Sequence, residues 1–371
     1  MEGIILSFII IGISIILYIF FKLSYDKDKE MKKENKKILS ELNIKNLCSF
    51  NKTPFKILKE EDHVISFLCL KNKDFLSGQM NGMISYYNGK TYHAIILIYE
   101  HCAPVTSLLQ LHDETILTSS ADGTMRKIKI LLNNNNNKKY LVEFVFYTNR
   151  EFIFKSIQLK NNNDILSCNI SKELILWKKN KNDDYPLYKV EKILLNNEFV
   201  RDILQINDNT FITCGDSLQC WSTNNYEPIK KLIYNCKGYN SLYKINDEYT
   251  GIFLQKDGDI LLFNNKTLSE TKILNLTSSS LTCIKPLSNQ IIIMGIFDPK
   301  NKRSIINQYI LSSKNKLNKD KNNEIELINL KTEYIDNNWQ RINVIDEIDD
   351  KIFFGFGGEI DKKFFGQIII F

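Results

Sequence analysis

Short apolar runs broken by tight polar turns recur along the chain. Five of them align: SGQMNGMISYYN (77 to 88), TSSADGTMRKIK (118 to 129), SCNISKELILWK (167 to 178), TCGDSLQCWS (213 to 222) and FLQKDGDILLFN (253 to 264). Each predicts a strand, a turn and a second strand that ends in a bulky side chain. Asn81, Asp122, Ser171, Asp216 and Asp257 hold the turn, often with Gly behind them, because a tight hairpin needs positive φ. Tyr87, Ile128, Trp177, Trp221 and Phe263 hold the bulky place, at steps of 41, 49, 44 and 42 residues. Upstream of each hairpin another strand carries an aliphatic anchor: Leu70, Leu111, Leu159, Ile206 and Ile245.

The anchor recurs at Leu287 and Ile345, which adds two looser units whose bulky places fall to Tyr309 and Phe371. Seven units of four short strands predict an all-β fold, a seven-bladed β-propeller over residues 54 to 371. In the seventh unit the chain stops at GQIIIF (366 to 371), a third strand with no fourth behind it. Left alone, it would be an apolar open edge. PFKILKEED (54 to 62) precedes the first anchor strand and has no other place. Pairing Phe55 to Glu60 with the terminal strand supplies the missing strand and closes the ring.

The units TSSADGTMRKIK, SGQMNGMISYYN and SCNISKELILWK resemble the WD-repeat family, whose pattern runs ser-gly-ser-x-asp-gly-thr-ile-arg-x-trp-asp; the resemblance spans residues 54 to 371. The family's His matches His101 in HCAPVTSLLQL, whereas His63 stands too close to Leu70. The resemblance implies a hydrogen-bonded set of His101, Asp122 and Thr118 in the second blade, with Ile128 where the family has Trp. It gives Trp177, Trp221, Asp216 and Asp257 structural places as well, and it implies an interaction scaffold rather than an enzyme.

Gly3 to Phe21, GIILSFIIIGISIILYIFF, is free of charge and long enough to cross a bilayer as a helix. It lacks the basic start and small-residue cleavage site of a signal peptide, so residues 1 to 23 are expected to be a retained transmembrane anchor. Lys22, Lys27, Lys29, Lys32, Lys33, Lys36 and Lys37 follow it and only Glu2 precedes it, which predicts a cytosolic propeller. Residues 24 to 53 form the charged stalk, and the identity of the membrane is open.

The 371 residues are 43% hydrophobic and 25% charged with a formal net charge of +6, the balance of a globular body and too weak a charge to imply nucleic acid. Eight cysteines are scattered without a CxxC pair or zinc spacing, so no metal is expected and the thiols read as reduced core residues. There is no GxSxG, Walker-type loop or HExxH, and only four His: His63, His93, His101 and His112. No catalytic residue, cofactor or small-molecule substrate is therefore expected. Sequons at Asn51, Asn169, Asn265 and Asn275 are the chance product of an Asn-rich chain.

Blade-joining loops should bring Arg150, Phe199, Arg201, Tyr239, Trp339 and Arg341 to one rim, and aromatic and Arg side chains are the usual anchors of protein interfaces. The function expected is a membrane-anchored scaffold that recruits partner proteins. An alternative is an exchange-factor-like regulator of a small GTPase, since the chain also looks somewhat like membrane-anchored propellers that activate the GTPase of the secretory coat. In those proteins the anchor follows the propeller. A further alternative is an extracytoplasmic propeller, opposed by the Lys-rich flank and the lack of a lipobox Cys.

Overall fold

The structure is a computed structural model that describes Lys22, Lys29, Lys33 and residues 48–50, 53–132, 138–148, 151–180, 186–195, 199–232, 239–254, 259–274, 280–298, 300–301, 303–314, 324–335, 341–360 and 363–371. The apolar stretch 3 to 21, and with it the transmembrane helix, lies outside the described residues. The chain divides into two units, Met1–Cys48 and Ser49–Phe371. In the first, Lys22, Lys29 and Lys33 are helical. The second is all-β.

That unit consists of seven four-stranded antiparallel sheets. Blades 1 to 6 cover residues 64–98, 105–147, 153–195, 200–232, 239–274 and 280–335, each four strands in chain order. Blade 7 takes its first three strands from Arg341–Ile348, Lys351–Ile360 and Lys363–Ile370, and its fourth from Lys56–Glu60. First strands touch first strands in order around the ring, and the seventh meets the first again. This is the seven-bladed propeller that the spacing predicted.

The closing strand pairs as the alternation of GQIIIF requires. Lys56 faces Ile370, Leu58 faces Ile368 and Glu60 faces Gly366, and the Phe55 amide donates to the Ile370 carbonyl at 2.8 Å. Leu58, Ile368 and Ile370 point the same way and are buried with Phe353 of blade 7 and with Val64, Phe75 and Tyr87 of blade 1. The last strand is thus not an open edge.

A repeated irregularity links the blades. The first strand of every blade shifts register after its first or second residue, at Val64/Ser66, Val105/Ser107, Ile153/Lys155, Val200/Asp202, Tyr239/Ser241, Leu281/Cys283 and Ile342/Val344. Such a bulge leaves a backbone group outside the ladder. The preceding blade uses it: Ser66 Oγ donates to the Val105 carbonyl at 2.7 Å, Thr106 Oγ1 to Ile153 at 2.7 Å, and Asn343 Nδ2 to Val64 at 2.9 Å. Between blades 4 and 5 the buried Asp202 carboxylate instead accepts the Leu242 amide at 2.9 Å.

Each bulky residue pairs with the first inward residue of the second strand: Phe75 with Tyr87, Ile116 with Ile128, Ile165 with Trp177, Phe211 with Trp221. Ile352 and Phe371 exchange both backbone hydrogen bonds, so Phe371 takes that place in blade 7. The aliphatic anchor lies six residues after the residue that precedes the bulge. In blade 7 that is Ile348, three residues beyond the expected Ile345, which lies inside the strand Arg341–Ile348. Gly82 (φ 91) and Gly123 (φ 80) take the positive φ of their turns, as the hairpin pattern required, and in blade 3 Lys172 (φ 65) adopts it without a glycine.

Candidate functional site

Because every blade runs up and down, the turns between second and third strands and the loops joining blades all emerge on one face. On that face a single contact repeats in blades 1 to 4. The first turn residue donates its amide to the carbonyl just before the first strand: Met80 to His63, Ala121 to Pro104, Ile170 to Phe152 and Asp216 to Phe199. These pairs fix eight side chains at matching places around the mouth of the ring.

Several are apolar and exposed. Met80, Ile170 and Phe199 are 45%, 42% and 36% exposed, and Phe364, at the start of the third strand of blade 7, is 61% exposed. His63 lies edge-on to Phe364 with ring centroids 5.3 Å apart, so Met80, His63 and Phe364 form one patch across the seam between blades 7 and 1. On the opposite face Phe55, where the chain enters the closing strand, is 60% exposed, with Lys351 Nζ 4.2 Å from its ring centroid.

Of the six candidate partner residues, Phe199 and Arg201 fall together at the entry to blade 4, with Lys172 Nζ 5.0 Å from the Phe199 ring centroid. Arg341 is exposed and stands immediately before Ile342, the place Phe199 holds before Val200. Phe199 and Arg341 are thus equivalent residues of two blades. Tyr239 begins the first strand of blade 5, with only its backbone described. Arg150 and Trp339 lie outside the described residues, as does Asp257.

The same face carries a buried polar set. His101 Nδ1 is 2.9 Å from Asp122 Oδ2, and Nε2 is 2.7 Å from Thr118 Oγ1. A carboxylate only accepts, so Nδ1 donates. Burial alone would raise the Asp122 carboxyl, but the hydrogen bonds from His101 and Thr124 outweigh it and hold it well below the ordinary carboxylate range. Thr118 stands two residues after Ile116; Ser77, Ser167 and Thr213 stand at the same step in blades 1, 3 and 4. Trp177 Nε1 donates to Ser167 Oγ and Trp221 Nε1 to Thr213 Oγ1, both at 2.9 Å. In blades 5 to 7 that place is Ile252, Met294 and Phe354, and packing replaces the hydrogen bond. Asp216 accepts the Phe199 amide at 3.3 Å and so ties its turn to the preceding loop.

A further member of this set had no signal in single motifs. Glu60, at the end of the closing strand, stands four residues before Val64 as His101 stands four before Val105. It does for blade 1 what His101 does for blade 2. It is 9% exposed and accepts from Ser77 Oγ, from Gln79 Nε2 at 2.8 Å and from Ser85 Oγ at 3.0 Å, with the Tyr87 hydroxyl also on it. Burial pushes the Glu60 carboxyl above its ordinary value, against the partial offset of the Ser77, Tyr87 and Ser85 hydrogen bonds.

No group of three or more His, Cys, Asp or Glu with metal-binding geometry occurs among the described residues. Cys168, Cys214, Cys220 and Cys283 are free and buried, and Cys102 is exposed. Two of the sequon asparagines are structural. Asn169 is 1% exposed and accepts the Ser171 and Glu173 amides, and Asn265 is 2% exposed and accepts from Thr250 Oγ1.

Among solved structures, the β-propeller domain of Cps50 (Swd1) from Myceliophteria thermophila matches with a TM-score of 0.63 at 11% identity, over 86% of this chain and 98% of that one. The chain folds as a β-propeller. No family model and no curated protein matches the sequence. At that identity the match shows the fold alone.

Proposed function

We propose that this chain is a WD-repeat-like propeller held to a membrane by residues 3 to 21, with the propeller in the cytosol, and that it recruits partner proteins through the face built from Met80, Ile170, Phe199 and Phe364. The observation that carries this reading is the set of exposed apolar side chains at the turns and loop ends of this face. Turn residues need no apolar side chains for folding, and four large ones, Met80, Ile170, Phe199 and Phe364, stand exposed there. The half-buried Phe152 and Phe154, with ring centroids 4.8 Å apart, extend the apolar surface toward blade 4. Arg201 and Arg341 add the residue type most often found as an interface anchor beside aromatics.

The test uses the full chain in intact membranes, tagged at its carboxy terminus. Added protease should digest the propeller without detergent, and photo-crosslinkers placed at positions 80 and 199 should give discrete protein adducts. Replacing Met80, Ile170, Phe199 and Phe364 by Ser should remove those adducts while the unfolding midpoint stays close to that of the unchanged chain. Protection from protease would overturn the orientation. Adducts that survive the four substitutions would overturn the choice of face.

A further inference from the structure

The segment that precedes the closing strand makes an attachment of its own. Phe50 is 4% exposed, with its ring edge-on to Phe354 and Phe371 at centroid distances of 5.0 and 5.3 Å. Its backbone amide donates to both carboxylate oxygens of Glu333, at 3.1 and 3.2 Å. Glu333 lies on the fourth strand of blade 6, is 1% exposed, and also receives Lys331 Nζ at 3.0 Å and Gln308 Nε2 at 3.3 Å. Phe354 holds the place of the hydroxyl residues Ser77 and Thr118, and Phe371 that of Trp177 and Trp221. Phe50 therefore fills the interface between blades 6 and 7 as Glu60 fills the one between 7 and 1, and His101 the one between 1 and 2.

We propose that Phe50 is a latch, which takes up a pull arriving from the residues before it and keeps that pull off the strand that closes the ring. The need for one follows from the topology. Lys56–Glu60 is an outer strand held by five residue pairs, and the chain enters it at the Lys56 end, where it meets Ile370. A pull at that end separates the pairs one after another, beginning with Lys56 and Ile370, and each separation makes the next easier. A pull arriving before Phe50 must first draw a buried ring from between Phe354 and Phe371 and take an amide from a carboxylate enclosed by two blades. That event breaks several contacts at once. The latch also makes ring closure depend on what happens upstream, because releasing Phe50 uncovers Phe371, which directly follows the terminal strand Lys363–Ile370.

Single-molecule pulling on the full chain tests this, with one handle on Lys192 of blade 3 and the other attached at residue 48 or at residue 53. The first opening should need a higher force from residue 48 than from residue 53. Phe50→Ala should abolish that difference by lowering only the residue 48 value. Glu333→Gln, which keeps the shape and removes the charge, should reduce the difference in the same direction and serves where Phe50→Ala does not fold. Equal forces from the two attachment points in the unchanged chain would overturn the proposal. So would a variant that lowers both forces alike, since Phe50 would then contribute general stability and no latch.

Discussion

Gln79 Nε2 donates to Glu60 Oε2 at 2.8 Å, so a side chain of the first blade grips a carboxylate carried by the closing strand of the last. Ser77 and Ser85 hold the same carboxylate from the same blade. Glu60→Ala would leave these donors buried without their acceptor. Leaving buried polar groups unpaired costs about 1–3 kcal/mol, more where the lost partner is charged, so a loss of about 2–4 kcal/mol is expected from denaturant unfolding. Glu60→Gln keeps an oxygen acceptor in place and should lose less.

Glu60 and Asp122 serve neighbouring blades and should move stability in opposite directions with pH. The Glu60 carboxyl is raised by burial, so the folded chain binds its proton more readily than the unfolded chain does. Its contribution is fully present below the unfolded value of 4.5 and is lost as pH rises through the raised folded value. Asp122 is lowered, so its contribution is present above the unfolded value of 3.8 and is lost as pH falls into the acid range. Unfolding midpoints of Glu60→Gln and Asp122→Asn, followed across pH and compared with the unchanged chain, should differ from it with opposite slopes. Parallel curves for the two variants would contradict the assignment.

The ring was legible in the sequence because its period is set by chemistry that tolerates little variation. A tight turn favours Asn, Asp or Gly, and the strands beside it need apolar residues on their inner side. The closure of GQIIIF by Phe55 to Glu60 followed from counting strands, since a three-stranded blade leaves an edge. Blade 7 misplaced its anchor, Ile345 for Ile348, because both are aliphatic on one strand and only the length of the following turn separates them. Glu60 was not legible. A charged residue at a strand end ordinarily faces water, and its equivalence to His101 appears only once Val64 and Val105 are aligned through their bulges. Phe50 left no signal either, as its partners Phe354, Phe371 and Glu333 lie some 280 to 320 residues away along the chain. The exposed Met80, Ile170 and Phe364 did have a readable sign, a large apolar residue beside a turn, but they sit at the hairpin turns and not in the blade-joining loops that hold Phe199 and Arg341.

Trp177 and Trp221 each use one indole N–H on one hydroxyl at 2.9 Å. Replacing either by Phe keeps most of the apolar contact and removes that bond, so each single change should cost about 1–2 kcal/mol, the price of one buried hydrogen bond and the void of the smaller ring. Pairing Trp177→Phe with Ser167→Ala, or Trp221→Phe with Thr213→Ala, should cost less than the sum of the two single changes, because the second change removes a group already left without its partner. Chemical denaturation of the four variants of each cycle measures this.

The meeting of the two ends of the chain makes its own demand. Leu58 and Ile368 pair across the closing ladder and share a core with Phe75 and Phe353. Each truncation to Ala should cost about 2–5 kcal/mol, as buried aliphatic side chains do when a cavity is left behind. In the double variant the two cavities merge and the strand loses contacts it had already loosened, so the sum should fail by about 0.5–3 kcal/mol. A pair such as Leu58 and Leu218, the latter buried in the core shared by blades 4 and 5, should add within about 0.5 kcal/mol. Removing residues 366 to 371 takes away every partner of the strand Lys56–Glu60 at once. The ring then has a two-stranded last blade and two open edges, and its unfolding should be less cooperative and begin at a lower midpoint than that of the intact chain. If that deletion unfolds as cooperatively and at the same midpoint as the full chain, the ends do not close the ring.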